Sequence, residues 1–88
     1  MLNLDADKPF LRKLGKLLKR VPSLNEKISV TFDLLQENPF TPSLKTHALV
    51  GNLKGLYSCS AAPDIRIIFT LSGDTVHLLN IGSHDEVY

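Results

Sequence analysis

The hydrophobic pattern of this chain changes period once, at Pro39. Before that point Phe10, Leu11, Leu14, Leu17, Leu18 and Val21 recur at helical spacing, with Arg12, Lys13, Lys16, Lys19 and Arg20 on the remaining positions. The spacing predicts an amphipathic helix over 8–20 with a basic outer face. Asp7 can cap its free N–H groups, and Pro9 falls in the first turn, where its missing donor costs little. Pro22 ends it. Ser23-Leu24-Asn25-Glu26 then has the spacing of a capping box, and a second helix is expected over 24–37. Its Leu24, Ile28, Thr31 and Leu35 line one face, Val30, Phe32 and Leu34 widen the stripe, and Asn38-Pro39 stops it. So short a connection makes the two helices an antiparallel hairpin.

After Pro39 the period is two. Phe40 to Lys45 is a rigid connector, and strands are expected over 47–51, 55–60, 65–71 and 75–81, separated by turns rich in Gly, Pro, Asp and Ser. The run Ile65-Arg66-Ile67-Ile68-Phe69-Thr70-Leu71 is apolar on both faces, as a central strand should be; Arg66 and Thr70 share a face with Ile68. Residues 1–6, where Leu2 and Leu4 alternate with Asn3 and Asp5, read as a short strand or a lead-in. The pattern predicts one α+β domain over 1–88, an N-terminal helical hairpin packed on a four- to five-stranded antiparallel sheet.

At 88 residues with 43% apolar content the chain suits a single small core. The net charge of +1 conceals an asymmetry, +3 over residues 1–47 and −2 over 48–88. The basic half suits a nucleic acid or an acidic protein, although the total is too small to argue for tight duplex binding. Cys59 is the single cysteine, so an intrachain disulfide or a thiolate metal cluster is excluded and a cytoplasmic setting is expected. No apolar run is long enough to span a membrane, and no signal peptide is expected from the first residues.

Candidate chemistry gathers in the second half. His47 stands at a strand start, His77 within the last strand and His84 beyond it, while Asp64 lies in the turn before the central strand and Arg66 at that strand's beginning. Histidine as a residue type suits a general acid or base, so His84 reads as one and equally as an exposed turn residue; the same holds for His47. His77 reads as a plain sheet residue. Arg66 suits either a phosphate or a carboxylate such as Asp64. Tyr88 offers a phenol or a stacking surface, and Cys59 a small buried hydrophobe. No close-spaced pair such as HxH or HExxH marks a metal site, so no metal and no cofactor are expected.

Taken together, Asn38-Pro39-Phe40, Leu44-Lys45-Thr46-His47, Leu53-Lys54-Gly55, Pro63-Asp64, the central strand with Arg66, and Ile81-Gly82-Ser83-His84-Asp85 with Tyr88 resemble the YafQ-like branch of the RelE/ParE toxin superfamily of type II toxin–antitoxin systems. The resemblance implies helices on one face of an antiparallel sheet, with residues 1–6 joining it as a strand. It implies a metal-independent ribonuclease that cuts messenger RNA in the ribosomal A site, through attack of a ribose 2′-hydroxyl on the adjacent phosphate. By the same resemblance His47, Asp64 and His84 fall on catalytic positions, Arg66 on the scissile phosphate, and Tyr88 where an aromatic residue, usually phenylalanine, closes the site. Lys45 and Lys54, with Arg66, are the RNA-contacting candidates. The implied protein partner is a cognate antitoxin. The alternative within the superfamily is a ParE-like binder that inhibits DNA gyrase without cutting RNA.

One position departs from the pattern. Where YafQ-like chains carry Cys-His before the Pro-Asp turn, this one carries Cys59-Ser60, and a serine cannot replace imidazole as a proton donor near neutrality. Either Arg66 supplies the phosphate contact, giving a mixed YafQ/RelE site, or the activity is weakened. With Tyr88 as the last residue, a further terminal helix of the kind some ParE-type proteins carry is not expected.

Overall fold

A computed structural model describes residues 1–88. The chain forms β1 (Asn3–Ala6), α1 (Lys8–Arg20), α2 (Leu24–Glu37), β2 (His47–Ala48), β3 (Tyr57–Ala62), β4 (Ile65–Ser72), β5 (Thr75–Gly82) and α3 (His84–Val87), with 3-10 turns at Pro42–Leu44 and Gly51–Leu53. Both long helices fall where the apolar period places them. Asp7 caps α1 by accepting the Phe10 N–H at 3.0 Å. The capping box expected at Ser23 does not form: the Ser23 backbone is already helical and its side chain makes no cap bond. The Val21 and Pro22 carbonyls accept from Leu24 and Asn25 instead, so the chain turns tightly between the helices before a cap is needed.

The five strands form one sheet in the order β1-β5-β4-β3-β2. The β2–β3, β3–β4 and β4–β5 pairs are antiparallel, whereas β1 joins the outer side of β5 in parallel, so the sheet is mixed. The strand that follows the helical hairpin, β2, runs opposite to β1, and the three antiparallel steps from β2 to β5 bring the last strand back to the sense of β1, so the two pair in parallel. Leu2 ties β1 to the end of α2 as well, its N–H reaching the Gln36 carbonyl and its carbonyl accepting from the Gln36 amide. The first sheet strand after the helices is shorter than the expected 47–51, because the 3-10 turn at Gly51–Leu53 withdraws the backbone once Leu49 has donated its N–H to the Leu56 carbonyl.

Phe10 and Leu17 of α1 and Ile28 and Leu35 of α2 interlock with Cys59, Ile67, Phe69, Val76, Leu78 and Ile81 on one sheet face. Burial of these side chains is the main stabilising term, roughly 1.5–3 kcal/mol for each large one relative to exposure. The other face is only partly covered. There the one-turn α3 crosses β4 and β5. An added Cβ at Gly82 would lie 3.1 Å from the Glu86 Cβ, so glycine permits this close approach.

Candidate active site

Strand alternation puts Ser58, Ser60, Arg66, Ile68 and Gly82 on the face away from α1 and α2. Two rungs cross it: His47 pairs with Ser58 and Ser58 with Ile68, while Ser60 pairs with Arg66 and Arg66 with Gly82. Ile68 and Ser58 are buried although they face away from the main core. Tyr88 reaches Ser58 there, its hydroxyl donating to Ser58 Oγ.

α3 sets the position of Tyr88 and His84. Ser83 Oγ accepts the Glu86 N–H at 3.3 Å while Glu86 Oε1 accepts the Ser83 N–H at 2.9 Å, a reciprocal capping box. The Glu86 carboxyl is held below its ordinary range by these Ser83 bonds. Four residues would not hold a helix unaided. The cap turns the chain once, and the His84 and Tyr88 rings meet edge to face with centroids 4.5 Å apart. His84 is otherwise exposed, with Nδ1 3.7 Å from Asp85 Oδ1.

Arg66 does not pair with Asp64. Its Nη1 lies 3.2 Å from the Ala62 carbonyl, 3.3 Å from that of Pro63, 3.4 Å from that of Ile65 and 3.4 Å from Ser60 Oγ. All four acceptors are neutral. They orient the guanidinium but leave its charge uncompensated and its remaining N–H groups free for an anion. The β-bulge between Ser60 and Ala62 aims these carbonyls at one point.

The structure therefore brings His47, Arg66, His84 and Tyr88 onto one face. Asp64 stands in the exposed turn at the Arg66 end of that face, without a side-chain partner. Lys45 is exposed just before β2 in left-handed backbone, φ 52°, and its carbonyl lies 3.4 Å from His47 Nδ1. Lys54 is exposed where the Gly51–Leu53 turn ends, before β3 begins, and is not brought together with Arg66. His77 belongs to the other end of the sheet, 3.1 Å from Asp5 on β1. Three contributors escaped sequence reasoning. Ser58 carries no signal of its own, whereas Ser83 and Glu86 have capping spacing that points to α3.

The chain matches the family model for the bacterial toxin of type II toxin–antitoxin systems, YafQ, over residues 2–88. It belongs to the YafQ toxin family. Solved structures agree with that membership. A metal-bound toxin from Helicobacter pylori is 30% identical with a TM-score of 0.82, each chain being covered over 100% of its length. HP0894, a conserved hypothetical protein from Helicobacter pylori, is 33% identical with a TM-score of 0.73, again with 100% of both chains covered. The Escherichia coli DinJ–YafQ complex contains a chain of the same fold, 21% identical with a TM-score of 0.82, covering 100% of this chain and 99% of that one. No curated protein sequence matches the chain significantly. No helix in this YafQ-family toxin is long and apolar enough to cross a membrane.

Proposed function

We propose that this toxin is an endoribonuclease that cuts messenger RNA in the ribosomal A site and is neutralised by a cognate antitoxin. The observation that carries the reading is the carbonyl-anchored, uncompensated guanidinium of Arg66 on the same face as His47, His84 and Tyr88. In this chemistry the 2′-oxygen forms a bond to phosphorus as the bond from phosphorus to the 5′-oxygen breaks. One proton leaves the 2′-hydroxyl and one reaches the departing oxygen, so no outside reactant is required. His84 is the principal acid–base group and His47 assists it. Asp64 orients or accepts a proton, Arg66 offsets charge building on the phosphate, and Tyr88 positions a base. Lys45 and Lys54 contact flanking RNA. The known DinJ–YafQ complex supports an antitoxin partner for this chain.

Primer extension on translated messages tests the reading after induction of wild type, His84→Ala and Arg66→Ala. New 5′ ends are expected with wild type and lost in both folded variants. Removal of a positioned acid or base costs roughly 10²–10⁴ in rate. Growth arrest without new ends, together with inhibited DNA supercoiling, would replace the nuclease with a gyrase binder.

A further inference from the structure

β5 runs past its outer neighbour. β1 stops at Ala6, opposite Leu78, so residues 79–82 form an open sheet edge. A cleft of about 120 Å³ lies there, bounded by Lys13, Lys16 and Arg20 of α1 and by Gly82 and Glu86. The three cations recur at spacings of three and four and so form one stripe along the flank of α1. Lys13 donates to Asn80 Oδ1. Neither Lys16 nor Arg20 has a close carboxylate, the two short ion pairs of the chain being His77–Asp5 and His84–Asp85. Glu86 is the one acid facing them, and its carboxylate is turned back onto the Ser83 N–H. Three cations against one carboxylate leave the cleft with an excess of positive charge.

Its position makes that charge informative. Gly82, on the cleft wall, is the register partner of Arg66, so the cleft lies at the same end of the sheet as the phosphate-binding candidate, one strand away. We infer that this cleft holds the sugar–phosphate backbone of the RNA strand flanking the cut, with Lys16 and Arg20 contacting phosphates. The inference rests on the nuclease reading above. From residue 13 to 20 the stripe runs roughly 10 Å at a helical rise of 1.5 Å per residue. That length suits successive phosphates of an extended strand better than a single anion, and its place at the Arg66 end of the sheet favours the substrate over an unrelated acidic protein.

The test is the salt dependence of binding between wild-type protein and a labelled single-stranded 2′-O-methyl RNA of about a dozen nucleotides, which cannot be cut because the attacking hydroxyl is blocked. Each phosphate contact contributes about 0.7 to the slope of log affinity against log salt for a single strand. The double variant Lys16→Gln/Arg20→Gln is expected to lose about 1.4 of that slope, and Lys27→Gln, on α2 and outside the cleft lining, to lose none. Glu86→Gln keeps the acceptor for Ser83 and removes the charge, so its RNA affinity should rise at low salt. A wild type that cuts and binds RNA with the same slope as the double variant overturns the cleft and leaves the nuclease standing. A wild type that neither cuts nor binds overturns both. Loss of antitoxin capture by the double variant, with its RNA slope unchanged, makes the surface a protein dock and also overturns the proposal.

Discussion

The Ser60 hydroxyl lies 3.4 Å from Nη1 of Arg66, its register partner on the neighbouring strand. The position that departs from the YafQ-like pattern thus touches the side chain offered as the phosphate ligand. Three backbone carbonyls share the same nitrogen, so Ser60→Ala should reduce single-turnover RNA cleavage by no more than a few-fold. Arg66→Ala should reduce it by roughly 10²–10³, the usual cost of losing a preorganised transition-state donor. Arg66→Lys should not rescue it, because an ammonium lacks the planar fork that spans the carbonyls and a phosphate together. Ser60→His should accelerate cleavage by restoring an imidazole to this face.

Tyr88 separates a hydroxyl from a ring. Tyr88→Phe leaves Ser58 Oγ buried without its donor, and the expected loss is about 1–3 kcal/mol in urea unfolding. The ring should still meet His84, so cleavage by the folded variant should remain near wild type. Tyr88→Ala removes both and should impair cleavage as well.

Ser83→Ala tests whether α3 positions His84. The capping box is lost, at a typical cost of about 1 kcal/mol. Because α3 is a single turn on the sheet surface, the loss should appear as a reduced kcat and as faster amide exchange at Glu86 to Tyr88. The unfolding midpoint should move little.

Cys59 gives the fold a dependence on alkaline pH. Burial raises its thiol from an ordinary 9.0 to about 12. Between these values the unfolded chain has released this proton and the folded chain has kept it, so stability falls as pH rises. The contribution is complete below pH 9 and is lost toward pH 12, at a slope of at most about 1.4 kcal/mol per pH unit. Urea unfolding of wild type and Cys59→Ala should show their stability difference shrinking from pH 8.5 to 10.5. An unchanged difference would mean that the thiol does not titrate with folding.

The long elements were legible because each repeats its period several times. α1 and α2 follow from leucine spacing, and β3, β4 and β5 from runs bounded by Pro63-Asp64 and Gly73-Asp74. Elements of two to four residues have no period to read. β2 is cut short by a 3-10 turn, α3 depends on one cap, and the parallel sense of β1 is fixed by tertiary contacts with Gln36 and β5. The Ser23 box shows the converse error, a local signal overridden by a tight interhelical turn. Within the site, residue types pointed to His47, Arg66, His84 and Tyr88. The carbonyl cradle around Arg66 was invisible, since a bulge at Ala61 has no side-chain signature.

The place of β5 between β1 and β4 sets an order of events during synthesis. Residues 3–6 leave the ribosome first, yet their pairing surface does not exist until residues 75–78 follow. The helical hairpin can form early from local contacts, while the sheet that carries Arg66 must await a long-range closure. His84 and Tyr88 come later still, so the nascent chain carries an incomplete candidate site until its sheet is closed.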